Sequence, residues 1–138
     1  MVYRPYIDGV HLETGEKGAD NLFRFGGTPM RTVLKFTIPV EAGNTTIRNG
    51  TLAKTIESVL EDLKPEAAYF FPHDGERSGF VVFDLKEPSQ IPIIAEPLFI
   101  ALNAKVEFHP VMNVEDLKKA LSGVEKAVKK HEQAGKAA

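Results

Sequence analysis

Hydrophobic and polar positions alternate with two different periods between Met30 and Met112. Over residues 30–40 apolar side chains occupy every second position, which is typical of a strand with one buried face. From Thr51 to Leu63 they recur every three or four positions, which predicts an amphipathic helix. The later segments continue the order as strand, strand, helix, strand. This order predicts an α+β fold, a ferredoxin-like β-α-β-β-α-β sandwich with a four-stranded antiparallel sheet and two helices on one face.

The central hairpin is predicted over residues 67–73 and 79–86, with its turn in residues 74–78. Asp74-Gly75 is a strong turn signal, because Gly and Asp tolerate a left-handed backbone. Both predicted strands carry apolar side chains on both faces, whereas a strand with one solvated face alternates cleanly. We therefore expect a covering layer on each side of this half of the sheet.

Two further helices complete the pattern. Residues 89–102 predict a helix that Pro97 kinks or splits, and residues 104–112 predict the fourth strand. The C-terminal helix is predicted to begin at Asn113, a favourable N-cap, with Asp116 three residues later in a capping-box position.

The chain divides into three segments. Glycines punctuate residues 1–29 and no periodicity persists there, which predicts an irregular N-terminal extension. The alternative is an arm that docks across a partner subunit through Tyr3, Tyr6, Phe23 and Phe25. Residues 30–131 form the predicted domain, and residues 132–138 are expected to be a frayed C-terminal tail.

Size and charge exclude several classes of protein. A chain of 138 residues is expected to form one domain. The formal net charge of -2 argues against a nucleic-acid binder. The absence of cysteine excludes disulfides and thiol nucleophiles. The sequence has neither an apolar run of about 18 residues nor a signal-peptide pattern, so we expect a cytoplasmic protein without membrane contact.

Polar residues share one face of the first and fourth predicted strands, which are neighbours in a ferredoxin-like sheet. Lys105, Glu107 and His109 alternate on the fourth strand, and Lys35 and Thr37 alternate on the first. This face points away from the helices. One interpretation is a Lys35–Glu107 ion pair, stabilising by about 0.2–1 kcal/mol, or solvated residues at a rim. The other is the polar wall of a small-molecule pocket.

The candidate ligand-binding residues are Lys35, Thr37, Lys105, Glu107, His109 and His73. His73 ends the second strand beside the turn, where a solvent-exposed histidine is the simpler interpretation. The catalytic candidates are Glu107 and His109 as acid or base, with Lys35 beside them. Metal-binding spacings such as HxH or HExxH are absent, so we predict neither a metal site nor a cofactor.

Four stretches resemble a family of small, largely uncharacterised bacterial proteins assigned to the dimeric α+β barrel superfamily. They are KFTIPVEAGN (35–44), LKPEAAYF (63–70), FDLKEPSQIP (83–92) and AEPLFIALNAKVEFHPVM (95–112). The resemblance implies a homodimer in which two sheets pack face to face around a lumen. Antibiotic-biosynthesis-type and haem-degrading monooxygenases, muconolactone isomerases and stress-responsive barrel proteins belong to the wider superfamily. These proteins share the fold but differ in their chemistry.

Two functional hypotheses follow. The first is a homodimeric barrel that binds a small, partly apolar molecule or acts mainly as an assembly module. The second is a cofactor-independent enzyme of the monooxygenase or isomerase type that uses Glu107, His109 and Lys35. The hypotheses differ in whether these groups converge on a closed cavity with little water.

Overall fold

The computed structural model describes residues 29–137, so the prediction of an irregular or docked segment, with its anchors Tyr3, Tyr6, Phe23 and Phe25, lies almost wholly outside the described residues. The fold is α+β. Its elements in chain order are β1 (Met30–Ile38), α1 (Val40–Arg48), α2 (Thr51–Leu63), β2 (Ala67–His73), β3 (Glu76–Leu85), α3 (Gln90–Leu102), β4 (Lys105–Pro110) and α4 (Val114–Lys136).

The four strands form one antiparallel sheet in the order β2-β3-β1-β4. The longest strands, β1 and β3, lie at the centre, and β2 and β4 are the edges. This arrangement confirms the predicted four-stranded antiparallel sheet and is compatible with a ferredoxin-like unit. Because β1 pairs with both β3 and β4, its alternating side chains fix which residues of all three strands share a face.

The hydrophobic core lies between the sheet and helices α1 to α3. On β1, Leu34, Phe36 and Ile38 are buried, and their partners on β3 include Val81. From the helices, Val59, Leu98 and Leu102 pack into the same cluster. The buried side chains of β1 therefore pack against the predicted apolar stripe of α2 and against α3.

The first helical region contains two helices rather than one. The bounds of α2 confirm the predicted helix over residues 51–63. A separate helix, α1, precedes it and ends at Asn49-Gly50. Gly50 has φ of 77°, a left-handed conformation that breaks the helix, and the Asn49 Oδ1 atom accepts a hydrogen bond of 2.9 Å from the Thr51 amide.

The hairpin turn is shorter than predicted. Its two central residues are Asp74 and Gly75, with φ of 51° and 77°, and His73 pairs directly with Glu76. Positive φ at both positions is the signature of a type I′ turn, whose twist matches that of the flanking strands. As a result, residues 76–78, predicted to belong to the turn, are the start of β3.

The two C-terminal helices differ in how well they are packed. Pro97 lies inside α3 without splitting it, and the carbonyl that it leaves unpaired belongs to exposed Ile93. At α4, Asn113 and Asp116 form the predicted capping box, with backbone-to-side-chain bonds of 2.8 and 3.1 Å. The helix continues to Lys136, into the segment predicted to fray, and has no buried residue.

Candidate functional site

One face of the sheet is covered by helices α1 to α3, and the opposite face carries the predicted site. We call this second surface the open face. Register places Val33, Lys35 and Thr37 of β1 on it, together with alternate residues of the other three strands. Within residues 29–137 no helix packs over this surface.

The open face brings five of the six predicted ligand-binding residues together. The five residues line a cavity of about 220 Å³, with Asp74 and Glu76 completing its rim; they are Lys35, Thr37, His73, Lys105 and Glu107. Strand pairing explains why these side chains lie close together, because Lys35 lies opposite Glu107 and Thr37 lies opposite Lys105. His73 reaches the same place from the hairpin end of β2.

His109, the sixth candidate, lies outside this cavity. It pairs with Val33, one step further along the same face of β4, and more than half of its side chain is exposed. Its Nε2 atom lies 3.5 Å from the Glu107 Oε2 atom. Glu107 is therefore in contact with His109, and the ion pairs described within residues 29–137 do not include the predicted pair between Lys35 and Glu107. Direct pairing across strands brings two Cα atoms together but leaves long exposed side chains free to point apart.

An aromatic cluster borders the polar cavity. Phe80 on β3 lies opposite both Lys35 and Tyr69. Its ring centroid is 5.5 Å from that of Tyr69 and 5.7 Å from that of Phe71, distances typical of favourable aromatic contacts. Tyr69 is 60% exposed. The open face thus combines ionisable groups over β1 and β4 with aromatic surface over β2 and β3.

Ser78 is a buried polar residue of this face that the sequence interpretation assigned to the turn. Its hydroxyl donates to the Thr37 hydroxyl oxygen at 3.3 Å and lies 3.1 Å from the Glu76 carbonyl oxygen. The contact fixes the Thr37 side chain beside the cavity. The sequence does not indicate this role for Ser78, three residues after Gly75, because its burial depends on the pairing of β3 with β1.

At the other end of the open face, Arg31 connects the sheet to α4. The Arg31 Nε atom donates a hydrogen bond of 2.7 Å to Glu66, and this bond is the main cause that raises the pKa of the Arg31 guanidinium. Its Nη1 atom lies 3.8 Å from Asp116 in the first turn of α4. Asp84 lies exposed opposite Arg31. Because Arg31 belongs to the open face, α4 begins on this side of the sheet.

The apolar stripe of α4 is unpartnered within the described part of the chain. Five residues of this stripe are each about half exposed or more, namely Val114, Leu117, Leu121, Val124 and Val128. A helix of 23 residues depends on burial of such a stripe for most of its stability. The α4 stripe and the open face are therefore two neighbouring surfaces that residues 29–137 of one chain leave uncovered.

Comparison of the chain with protein-family models, curated proteins and solved structures found no match. Within residues 29–137, His, Cys, Asp and Glu side chains do not gather in a group of three that could hold a metal ion. None of the helices in the same range has the length and apolar character needed to cross a membrane.

Proposed function

We propose that the chain forms a homodimer through its open face and binds a small, partly apolar molecule in the lumen between the two sheets. The observation that carries the proposal is the composition of the open face, where an aromatic cluster adjoins the five clustered candidate residues. The assembly is also the one implied by the resemblance to dimeric α+β barrel proteins.

The area of the uncovered surfaces supports a second copy as the covering layer. Four strands of six to ten residues give a sheet face of about 500 Å² per copy. A stripe along the 23 residues of α4 adds about 300 Å². Together they reach the roughly 800 Å² per partner of a standard interface, whereas the sheet face alone does not. The proposal therefore includes the α4 stripe in the dimer interface.

Charge also favours pairing of the open face with itself. A two-fold axis places the same surface on both sides of the interface. The open face carries cations at Lys35 and Lys105 and carboxylates at Glu107 and Asp84. A surface with both signs can pair its own charges across the axis, whereas a surface of one sign would repel its copy.

The cavity on a single open face is small for a metabolite. Two such cavities facing each other enclose twice the volume, which falls in the range of about 300–1,000 Å³ typical of ligand pockets. Phe80 and Tyr69 would contact the apolar part of the ligand, and Lys35 and Glu107 its polar part. Binding has more support than catalysis, because the proposed acid or base His109 lies outside the cavity and is largely exposed.

Light scattering combined with size exclusion tests the assembly. The full chain is expected at about twice its 15.2 kDa mass at micromolar concentration. Tyr69→Glu and Leu121→Glu place a charge on the open face and on the α4 stripe, at residues that are exposed in one chain and so tolerate the change. Each variant is expected to shift the population to monomer.

Ile100→Glu is the matched control, because Ile100 is exposed on α3, away from the proposed interface. A monomeric parent chain, or dimers unaffected by both variants, would refute the proposed assembly.

Thermal protection by a library of small metabolites tests the lumen. A ligand of the lumen raises the melting temperature of the parent chain, and Glu107→Gln reduces this shift because it removes a charged partner. Glu61→Gln on the exposed side of α2 is the control and leaves the shift unchanged. Equal shifts for parent chain and Glu107→Gln with every stabilising compound would exclude the lumen as the binding site.

A further inference from the structure

A second, larger cavity lies on the opposite side of the sheet, where α2 passes over β2 and β3. Its volume is about 560 Å³, within the range of ligand pockets. We call it the apolar groove, and its apolar wall includes Phe36, Ile38, Leu52, Ile56 and Phe70. None of the residues that line the cavity on the open face lines this groove. The proposed dimer would leave the groove wall on the helix side of the sheet uncovered, whereas Phe71 and Ser78, which also line the groove, lie on the open face.

The groove lies between α2 and the β2 edge of the sheet. Helix α2 packs on α1 and α3. Phe70 points to the helix side of the sheet, beside Phe36 at a centroid distance of 6.3 Å, yet it remains 55% exposed. An aromatic side chain that faces a core and stays half in water offers apolar surface to a further molecule.

The cation Arg77 also lines the groove. Arg77 lies opposite Ile38 on β3 and therefore faces the helices. Its Nη2 atom donates a hydrogen bond of 3.1 Å to the Asn44 Oδ1 atom of α1. Its side chain packs so closely on Gly43 that a Cβ atom at position 43 would lie 2.6 Å from Nη1. Arg77 is thus held in a fixed direction by two residues of α1.

The guanidinium keeps donors for a ligand. A guanidinium has five N–H groups, and the Asn44 contact uses one of them. Among the ion pairs of residues 29–137, none involves Arg77. Glu57, a carboxylate that also lines the groove, lies on the exposed side of α2 and is not in an ion pair with Arg77 within residues 29–137.

We propose that the apolar groove is a binding site for an amphipathic carboxylate. The hydrocarbon part of the ligand lies against Phe36, Ile56 and Phe70, and its carboxylate accepts hydrogen bonds from Arg77. A planar guanidinium held by a neutral amide favours a carboxylate, because it can form two parallel charge-assisted bonds without losing an existing ion pair.

The test compares octanoate with octan-1-ol, which has the same chain length without the charge. Titrations of the full chain followed by amide NMR shifts give affinity and location together. Octanoate is expected to shift residues of α2 and β2 that line the groove. Arg77→Gln is expected to weaken octanoate binding about tenfold or more while changing octanol binding little, since only the charge-assisted bonds are lost.

Two further variants separate loss of binding from loss of folding. Ala53→Trp fills the groove from an exposed position on α2 and is expected to abolish binding of both compounds while the protein remains folded. Arg48→Gln removes a cation from the exposed surface of α1 and leaves both affinities unchanged. The proposal is overturned if octanoate fails to bind at millimolar concentration, if its affinity survives Arg77→Gln, or if its shifts map to the open face or to α4.

Discussion

Gly79 offers the sharpest test of how the sheet packs. It lies on β3 between Phe36 of β1 and Phe70 of β2, so its missing side chain makes room for two rings. A Cβ atom built there would lie 2.8 Å from the Phe36 Cζ atom and 2.9 Å from the Phe70 Cδ1 atom. Phe70 is half exposed and can move away, but Phe36 is only 4% exposed and is enclosed by the core. Gly79→Ala is therefore expected to overpack the core at Phe36.

The expected loss of stability combines two opposing effects. Overpacking of a well-packed core costs about 1–3 kcal/mol. Replacement of Gly by Ala lowers the entropy of the unfolded chain, which stabilises the protein by about 0.4–1 kcal/mol. With both effects at the middle of their ranges, Gly79→Ala is expected to destabilise the protein by about 1.3 kcal/mol. Urea unfolding at one fixed protein concentration measures it, because association makes stability depend on concentration.

Gly123→Ala is the matched control. Gly123 lies inside α4, with nothing within 4 Å of a Cβ atom built there, so the same chemical change is expected to stabilise by up to about 1 kcal/mol. A Phe36→Leu background removes the ring atoms that oppose the new methyl group and should reduce the cost of Gly79→Ala by about 0.5 kcal/mol or more. Equal stability of the parent chain and Gly79→Ala, or additive effects in the double variant, would refute the steric argument.

Two smaller perturbations test the local signals of the chain. Asn113→Ala removes the capping box of α4 and should lower the stability of the helix by about 0.5–2 kcal/mol. The measurement is amide exchange, which should become faster in the first turns of α4. Unchanged exchange would show that other contacts hold this end of the helix. Gly75→Ala should destabilise the protein by about 1 kcal/mol in thermal or urea unfolding, because a φ of 77° is strained for Ala. Unchanged stability would mean that the turn adopts another type.

The sequence predicted the elements whose signals are local. The helical stripe over residues 51–63 matches α2, and the spacing of Asn113 and Asp116 matches the capping box. The separate helix α1 was not among the predicted elements. In the structure, Gly50 is the left-handed residue that follows α1, and the Asn49 side chain accepts a hydrogen bond from the amide of Thr51, the first residue of α2.

The sequence was sufficient to predict the part of the candidate site that depends on strand alternation. It was not sufficient for the part that depends on the exact register of the strands. Lys35, Thr37, Lys105 and Glu107 gather because β1 and β4 are antiparallel neighbours with period-two side chains. Arg77, by contrast, was assigned to a five-residue turn. Only the two-residue turn places it on β3, and only pairing with β1 shows that it faces the helices.

Pro72 has a consequence for how the protein behaves in a crowded solution. The strand β2 is an edge strand with two exposed aromatic residues, Tyr69 and Phe70, which is the kind of segment that recruits further strands into aggregates. His73 and Glu76 flank a two-residue turn and share hydrogen bonds, so Pro72 belongs to the next pair, in which the backbone nitrogen points outward. A proline nitrogen carries no hydrogen. An incoming strand therefore meets an interrupted row of hydrogen-bond donors at the part of the edge that is most apolar. This interruption disfavours the addition of further strands and the growth of fibrils.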